Sequence, residues 1–128
     1  MRTRNGFTLV ELVITVVVIG LLAALAIPRF AGSREQSVIA TMKSDLHNLA
    51  MFQEDYVLDS ASYYAGSVPG AGFAYQPSSG VTITLQNVTA FGWAATATHT
   101  ATSRTCAFYM GPAGPVGPAT NEGVPTCS

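Results

Sequence analysis

Charge is what this sequence has least of. Asp, Glu, Lys and Arg make up 10% of its 128 residues, against about 25% in soluble domains. Hydrophobic residues, at 48%, are ordinary. Disorder is therefore excluded as the main state, because disordered chains are polar and highly charged. There is no cationic excess, with six basic residues against seven acidic ones and a formal net charge of −1. That disfavours a nucleic-acid-binding domain. Histidine occurs only at His47 and His99. The sequence has no G-x-x-x-x-G-K loop, G-x-S-x-G elbow, H-E-x-x-H pair or C-x-x-C pair. An enzyme reading thus has no catalytic constellation to stand on, and no metal or cofactor site is indicated. Phe91, Trp93, Phe108 and Tyr109 read as core and sheet packing.

The few charges are unevenly placed. Arg2 and Arg4 open the chain, and Glu11 stands alone inside an apolar run. Eight charges lie between Arg29 and Asp59, and only Arg104 and Glu122 follow Ser60. The run Phe7–Ile27, FTLVELVITVVVIGLLAALAI, is 21 residues long, and a bilayer-spanning helix needs about 20. Basic residues stay on the cytoplasmic side, so the N-terminus is expected inside and the remainder translocated. A removable secretory signal has a shorter apolar core, of about 7–15 residues, and a small-residue cleavage site that is not evident here. A plain anchor would gain nothing from Glu11, since an intramembrane carboxylate costs on the order of 3 kcal/mol. A cut just before Phe7 would supply a free amine as a partner. It would also put Glu11 in the first turn of the helix, where the dipole favours negative charge.

Gly6-Phe7-Thr8-Leu9-Val10-Glu11, behind the short basic leader Met1–Gly6, resembles the processing signature of the type IV pilin superfamily. That superfamily takes in type IV pilins and the pseudopilins of type II secretion and competence. The resemblance covers about the first 30 residues. It implies cleavage after Gly6 by a membrane prepilin peptidase, which then methylates the new amine of Phe7. It also implies that Glu11 neutralises the Phe7 amine of a neighbouring subunit as a filament grows. Gly20 and Pro28 match the family's helix-loosening positions. Pro28 lacks an N–H and its ring clashes with the carbonyl four residues back, so physics alone leaves a plain boundary and a stretchable segment equally open, and the resemblance favours the second. The resemblance further implies as partners other copies of the chain, the peptidase and a pilus assembly machinery. That machinery comprises a platform protein, an assembly ATPase acting indirectly and, where there is an outer membrane, a secretin. The precursor would sit in the inner membrane, spanning it once, and the assembled form would be extracellular.

Beyond the stem, residues 34–55 contain no Gly or Pro. Val38, Ile39, Met42, Leu46, Leu49, Phe52 and Tyr56 recur at helical period, an amphipathic face with Arg34, Lys43, Asp45, Glu54 and Asp55 largely off it. Stem and amphipathic half together predict one helix from Phe7 to Leu58, about 75–80 Å long at 1.5 Å per residue. His47 reads as an exposed helix residue. Gly and Pro punctuate residues 60–80, a connection with a short strand expected at Phe73–Tyr75. Strands follow at Val81–Leu85, Phe91–Thr98 and Thr105–Met110, forming an antiparallel sheet whose apolar face meets the helix stripe. Its outer face is expected to be hydroxylated, through Thr82, Thr84, Thr89, Thr96, Thr98, Thr100, Thr102 and Ser103. Asn87-Val88-Thr89 fits an N-glycosylation pattern that arises often by chance.

Cys106 and Cys127 are the only cysteines. In an exported chain an even count points to a disulfide, worth about 3 kcal/mol in the chain-entropy account. It would pin the tail to the last strand. Between the two, GPAGPVGP reads as a semi-rigid exposed arch in polyproline II conformation. The expected class is α+β, a pilin-like fold with a long N-terminal helix, a small antiparallel sheet and a C-terminal disulfide loop. Its expected divisions are a leader over 1–6, a membrane and filament-core helix over 7–28, and a globular domain over 29–128. Within that domain fall an amphipathic helix over 29–58, a connection over 59–80, a sheet over 81–110 and a disulfide-bounded loop over 106–127. The expected function is that of a major pilin, with adhesion, motility or DNA uptake left open. Two rivals stand beside it. One is a type II secretion pseudopilin, for which the resemblance implies a calcium-binding loop and no C-terminal cysteine pair; it is disfavoured because Ser60–Ser128 carries a single acid, too few for an ordinary calcium site. The other is a DNA- or surface-binding module on the filament, disfavoured by the lack of a cationic stripe.

Overall fold

The computed structural model describes residues 6–128; the leader residues 1–5, and the side chains of Pro28, Arg29 and Ala31, lie outside the described residues. A single helix, α1, runs from Leu9 to Ser60. The chain divides into two compact units, one ending at Arg34 and one formed by Glu35–Ser128. The helix assignment continues through Gly20 and residue 28. In the first unit the β-branched run Val16–Ile19 is helical despite its modest propensity in water.

The second unit sets the C-terminal half of α1 against a four-stranded antiparallel sheet. Its strands are β1 (Val81–Gln86), β2 (Trp93–His99), β3 (Thr105–Met110) and β4 (Thr126–Cys127), side by side in chain order. Strand alternation puts Ile83, Trp93, Ala95, Ala97, Cys106 and Phe108 on one face, and these bury Met42, Leu46 and Leu49 of the helix stripe. Val38, Ile39 and Tyr56 border this core. Phe52 stays 38% exposed at its margin. His47 is exposed, its ring edge-on to Phe108 at 6.1 Å.

Two polar residues of α1 are buried, against the expectation that its charged and polar groups face water. Asp45, placed off the stripe by its type, is 3% exposed, and Gln53 is fully buried. Both tie down the connection after the helix. Gln53 accepts from the Tyr64 N–H at 2.8 Å and donates to the Tyr64 carbonyl at 3.0 Å, as a neighbouring strand would. Asp45 accepts from the Ser78 N–H at 3.0 Å and the Ser78 hydroxyl at 2.9 Å, while its own carbonyl accepts the Tyr75 hydroxyl at 2.9 Å. The strand expected at Phe73–Tyr75 is accordingly absent. Phe73 and Tyr75 are buried, but only isolated bridges form nearby, Val68 to Ile83 and Gly70 to Phe73. Gly72, at φ 82°, breaks the extended run.

The Cys106–Cys127 disulfide joins directly opposed residues of β3 and β4. The segment it encloses departs from the expected exposed arch. Gly111–Ala113 forms a 3-10 turn, and Gly111, Gly114 and Gly117 have φ of 61°, 74° and 52°. Polyproline II needs φ near −75°, so the glycines fold the segment instead of extending it. It lies back on the outer face of the sheet. A Cβ on Gly117 would stand 3.6 Å from the Ala107 methyl and 3.9 Å from the Thr96 methyl. Ala94, Ala107 and Ala119 are buried, 0–1% exposed, away from the helix-side core. Tyr109 anchors the cover, its carbonyl accepting the Gly123 N–H at 3.0 Å. The outer face is therefore only partly the open hydroxyl surface expected: Thr82, Thr84 and Thr98 are exposed, while Thr96 and Thr102 are half-buried.

Candidate functional site

The chemistry of the first unit sits at its N-terminal turn. Thr8 is the residue before α1 and Glu11 is three residues on. The Thr8 N–H donates to Glu11 Oε2 at 2.9 Å, and the Thr8 hydroxyl donates to the same oxygen at 2.8 Å. The Glu11 N–H in turn lies 3.2 Å from Thr8 Oγ1. This is a reciprocal capping box, which satisfies two of the backbone donors that a helix start leaves unpaired. The Thr8 carbonyl accepts the first helical bond, from the Leu12 N–H at 3.2 Å. The only other polar side chain in the stem, Thr15, donates to the Leu12 carbonyl at 2.8 Å. Every polar side chain from Phe7 to Ile27 thus has its partner within its own helix, as a segment without water requires. Glu11 Oε2 takes both Thr8 bonds, and Oε1 takes none among the described residues.

Among the described residues the apolar side chains of the stem stand exposed. From Phe7 to Ile27 the large ones are 47–79% exposed, and α1 is long and apolar enough to cross a membrane. A surface of this size needs an apolar environment. Gly6 is exposed, and no atom lies within 4 Å of where its Cβ would stand. Phe7 is 79% exposed. Gly20 is also open, and the Pro28 side chain lies outside the described residues. The capping box went unread in the sequence, although Thr8-x-x-Glu11 ahead of an apolar run is its signature.

Elsewhere the side chains singled out by type are engaged structurally. His99 accepts the Ala101 N–H at 2.9 Å through Nδ1. Asn87 has a φ of 50° and donates to the Ala113 carbonyl at 3.3 Å. Among the described residues no group of three or more His, Cys, Asp or Glu gathers as metal ligands would.

A long helix with an apolar first half, its second half laid on a small antiparallel sheet with a C-terminal disulfide, is the pilin fold. The family model described as the prokaryotic N-terminal methylation motif matches residues 1–27. The type II secretion system core protein G of Pseudomonas aeruginosa is 36% identical over 62 residues, 48% of this chain and 44% of that protein. The type IV wide pilus major component PilA4 of Thermus thermophilus is 38% identical over 63 residues, 49% of this chain and 48% of that protein. A fimbrial protein of Pseudomonas aeruginosa is 32% identical over 69 residues, 54% of this chain and 45% of that protein. The chain spans about half the length of the curated relatives it matches. Motif, relatives and fold together support a place in the type IV pilin superfamily.

Proposed function

We propose that this chain is a structural subunit of a type IV pilus. It is inserted as a precursor, cut after Gly6, N-methylated at Phe7 and polymerised through its apolar stem into an extracellular filament. Its role is structural, not catalytic, and its divisions are the leader 1–6, the stem 7–28 and the globular domain 29–128. The observation that carries the reading is the stem: an apolar surface unpartnered within the chain, with one carboxylate at its head. In a bilayer that surface faces lipid, and in a filament it is buried against other copies. Burial at about 25 cal/mol per Å² drives assembly once the stem leaves the membrane.

Glu11 fits the pairing step. A buried carboxylate without a cation costs several kcal/mol, and cleavage creates an amine at Phe7 on every copy. Thr8 holds Glu11 Oε2, which leaves Oε1 to accept from a neighbour's amine. Cleavage removes Arg2 and Arg4, shifting the formal side-chain charge from −1 to −3, while the pair of Glu11 and a Phe7 amine is itself neutral. Gly20 and Pro28 act as the yielding points of the stem during packing.

The similarity to core protein G supports a second reading, a periplasmic pseudopilin of type II secretion. Against it, the single acid after Ser60, Glu122, has its carboxylate occupied by the Gly111 N–H. Antibody-labelled electron microscopy of cells separates the two. Long extracellular fibres containing the chain support the pilin, whereas no fibres and lost secretion on deletion support the pseudopilin. Mass spectrometry of the mature chain is expected to give methylated Phe7 as its N-terminus, and any other start overturns the processing claim. Glu11→Gln keeps a capping residue but removes the charge. It is expected to insert normally and fail to polymerise, and wild-type filament yield from it would refute charge pairing.

A further inference from the structure

The C-terminal turns of α1 border a cavity of about 180 Å³ that the stem chemistry does not use. The helix contributes Phe52, Asp55, Tyr56 and Asp59, and Gly72 and Phe73 form part of the opposite wall. The spacings of three, four and seven residues put the four helix side chains along one face. Phe52 and Tyr56 both stand edge-to-face with Phe73, at 6.3 Å and 72° and at 5.9 Å and 78°. Phe73 is buried and stacked on Tyr64 at 4.4 Å, so what the site leaves open is the partly exposed Phe52 ring beside the exposed carboxylates of Asp55 and Asp59, and an aromatic ring and carboxylates both attract positive charge. Among the described residues, Asp55 and Asp59 make no ion pair.

The chain holds one lysine, Lys43. It is exposed on the same helix and makes no ion pair among the described residues. It cannot reach this cavity in its own copy. It precedes Asp55 by twelve residues and Asp59 by sixteen, which on an α-helix is about 18 and 24 Å along the axis and about 120° and 160° around it. Cation and acceptor therefore lie on different sides of one helix, offset along it. Such a pair is satisfied only between copies, and each copy still presents one free half. Contacts of that head-to-tail kind propagate into open helical filaments unless the rotation closes a ring.

The geometry points to this cavity as the acceptor for the Lys43 ammonium of a second copy of the chain, an axial contact between globular domains that acts beside the stem. This rests on the filament reading above and adds a second, outer point of register.

A zero-length carbodiimide cross-linker tests it on assembled filaments of the full chain, because it joins a lysine amine to a carboxylate only at contact distance. Digestion and mass spectrometry are expected to show Lys43 joined to Asp55 or Asp59. Their separation within one helix makes any such link a link between copies. Lys43→Arg is expected to keep filaments and lose the link, and Lys43→Gln to lower filament yield by about tenfold. Filaments in which Lys43 links elsewhere or not at all, or a Lys43→Gln yield equal to wild type, overturn the contact and leave the filament reading standing. A cell that makes the chain yet forms no filament overturns the filament reading, and the contact falls with it.

Discussion

Replacing Asp45 by alanine removes the acceptor of two hydrogen bonds from Ser78, at 3.0 and 2.9 Å, at a site only 3% exposed. Hydrogen bonds to a charged group contribute about 1.5–3 kcal/mol each. Ser78 itself is exposed, so water replaces part of what its N–H and hydroxyl lose. Tyr75 keeps its partner, which is the backbone carbonyl of residue 45. The net cost is therefore about 2–4 kcal/mol, below the sum of the two bonds. Asp45→Asn keeps one acceptor oxygen and the side-chain shape, and should lose about half as much. Trp93 is the only tryptophan and is fully buried in the same core, so its fluorescence reports the transition without a label. In detergent micelles, urea unfolding of the full-length alanine variant should shift its midpoint down by about 2 M, for a slope of about 1–2 kcal/mol/M. An alanine variant within about 0.5 kcal/mol of wild type, the range of ordinary surface changes, would show that the buried carboxylate does not hold the connection.

Three further outcomes follow from the second unit. Replacing Cys106 and Cys127 together by serine should cost about 3 kcal/mol, for a closed loop of some twenty residues; unchanged stability in the same urea assay would refute the constraint. Gly111→Ala should cost about 1–3 kcal/mol, because φ is 61° and the new Cβ would collide with the Phe91 carbonyl oxygen; a neutral result would mean that the turn is free to relax. Burial, reinforced by the Asp45 charge and the bond to Asp45, pushes the Tyr75 phenol above its ordinary value. Its folded form thus holds the proton longer than the unfolded one. That stability is complete below about pH 10 and falls as pH rises beyond it. In an ultraviolet titration Tyr75 should ionise above the ordinary phenol range, and Tyr75→Phe should reduce the alkaline loss.

The parts of the fold readable in the sequence are those in which one period decides. Met42, Leu46 and Leu49 declare a buried helix face, and Val81–Leu85 declares a half-buried strand. Gln53 was missed because it is polar, although it stands four residues after Leu49 and on the same stripe. Asp45, three residues after Met42, was missed for the same reason. Residue type placed Asp45 off the stripe and gave no reason to single out Gln53, and their partners at Ser78 and Tyr64 are distant in sequence, so no local pattern announces them. The strand expected at Phe73–Tyr75 failed for a related reason: the Phe73 N–H turns back to the Gly70 carbonyl, and helix side chains hold the connection at Tyr64 and Ser78 in place of a ladder. The Gly-Pro segment misled in the other direction. Its composition suggests extension, while the glycines at positive φ fold it onto Ala107 and Thr96. At the stem, Glu11 stood out by its cost in an apolar run, and Thr8 became meaningful only once the bonds to it were seen.

The sheet ends abruptly on both sides. β4 is two residues long and follows Pro125, while β1 carries on its outer side only the single bridge from Val68, which is followed by Pro69. β4 is too short to offer a continuous row of free N–H and C=O groups, the row along β1 is interrupted at Ile83, and each border has beside it a proline, which cannot donate. Long open borders invite strand addition from other molecules and seed amyloid. A subunit crowded against hundreds of its own copies meets that hazard at very high local concentration. In the filament proposed above, blunted borders would keep the strands private to each copy while the helices carry the assembly.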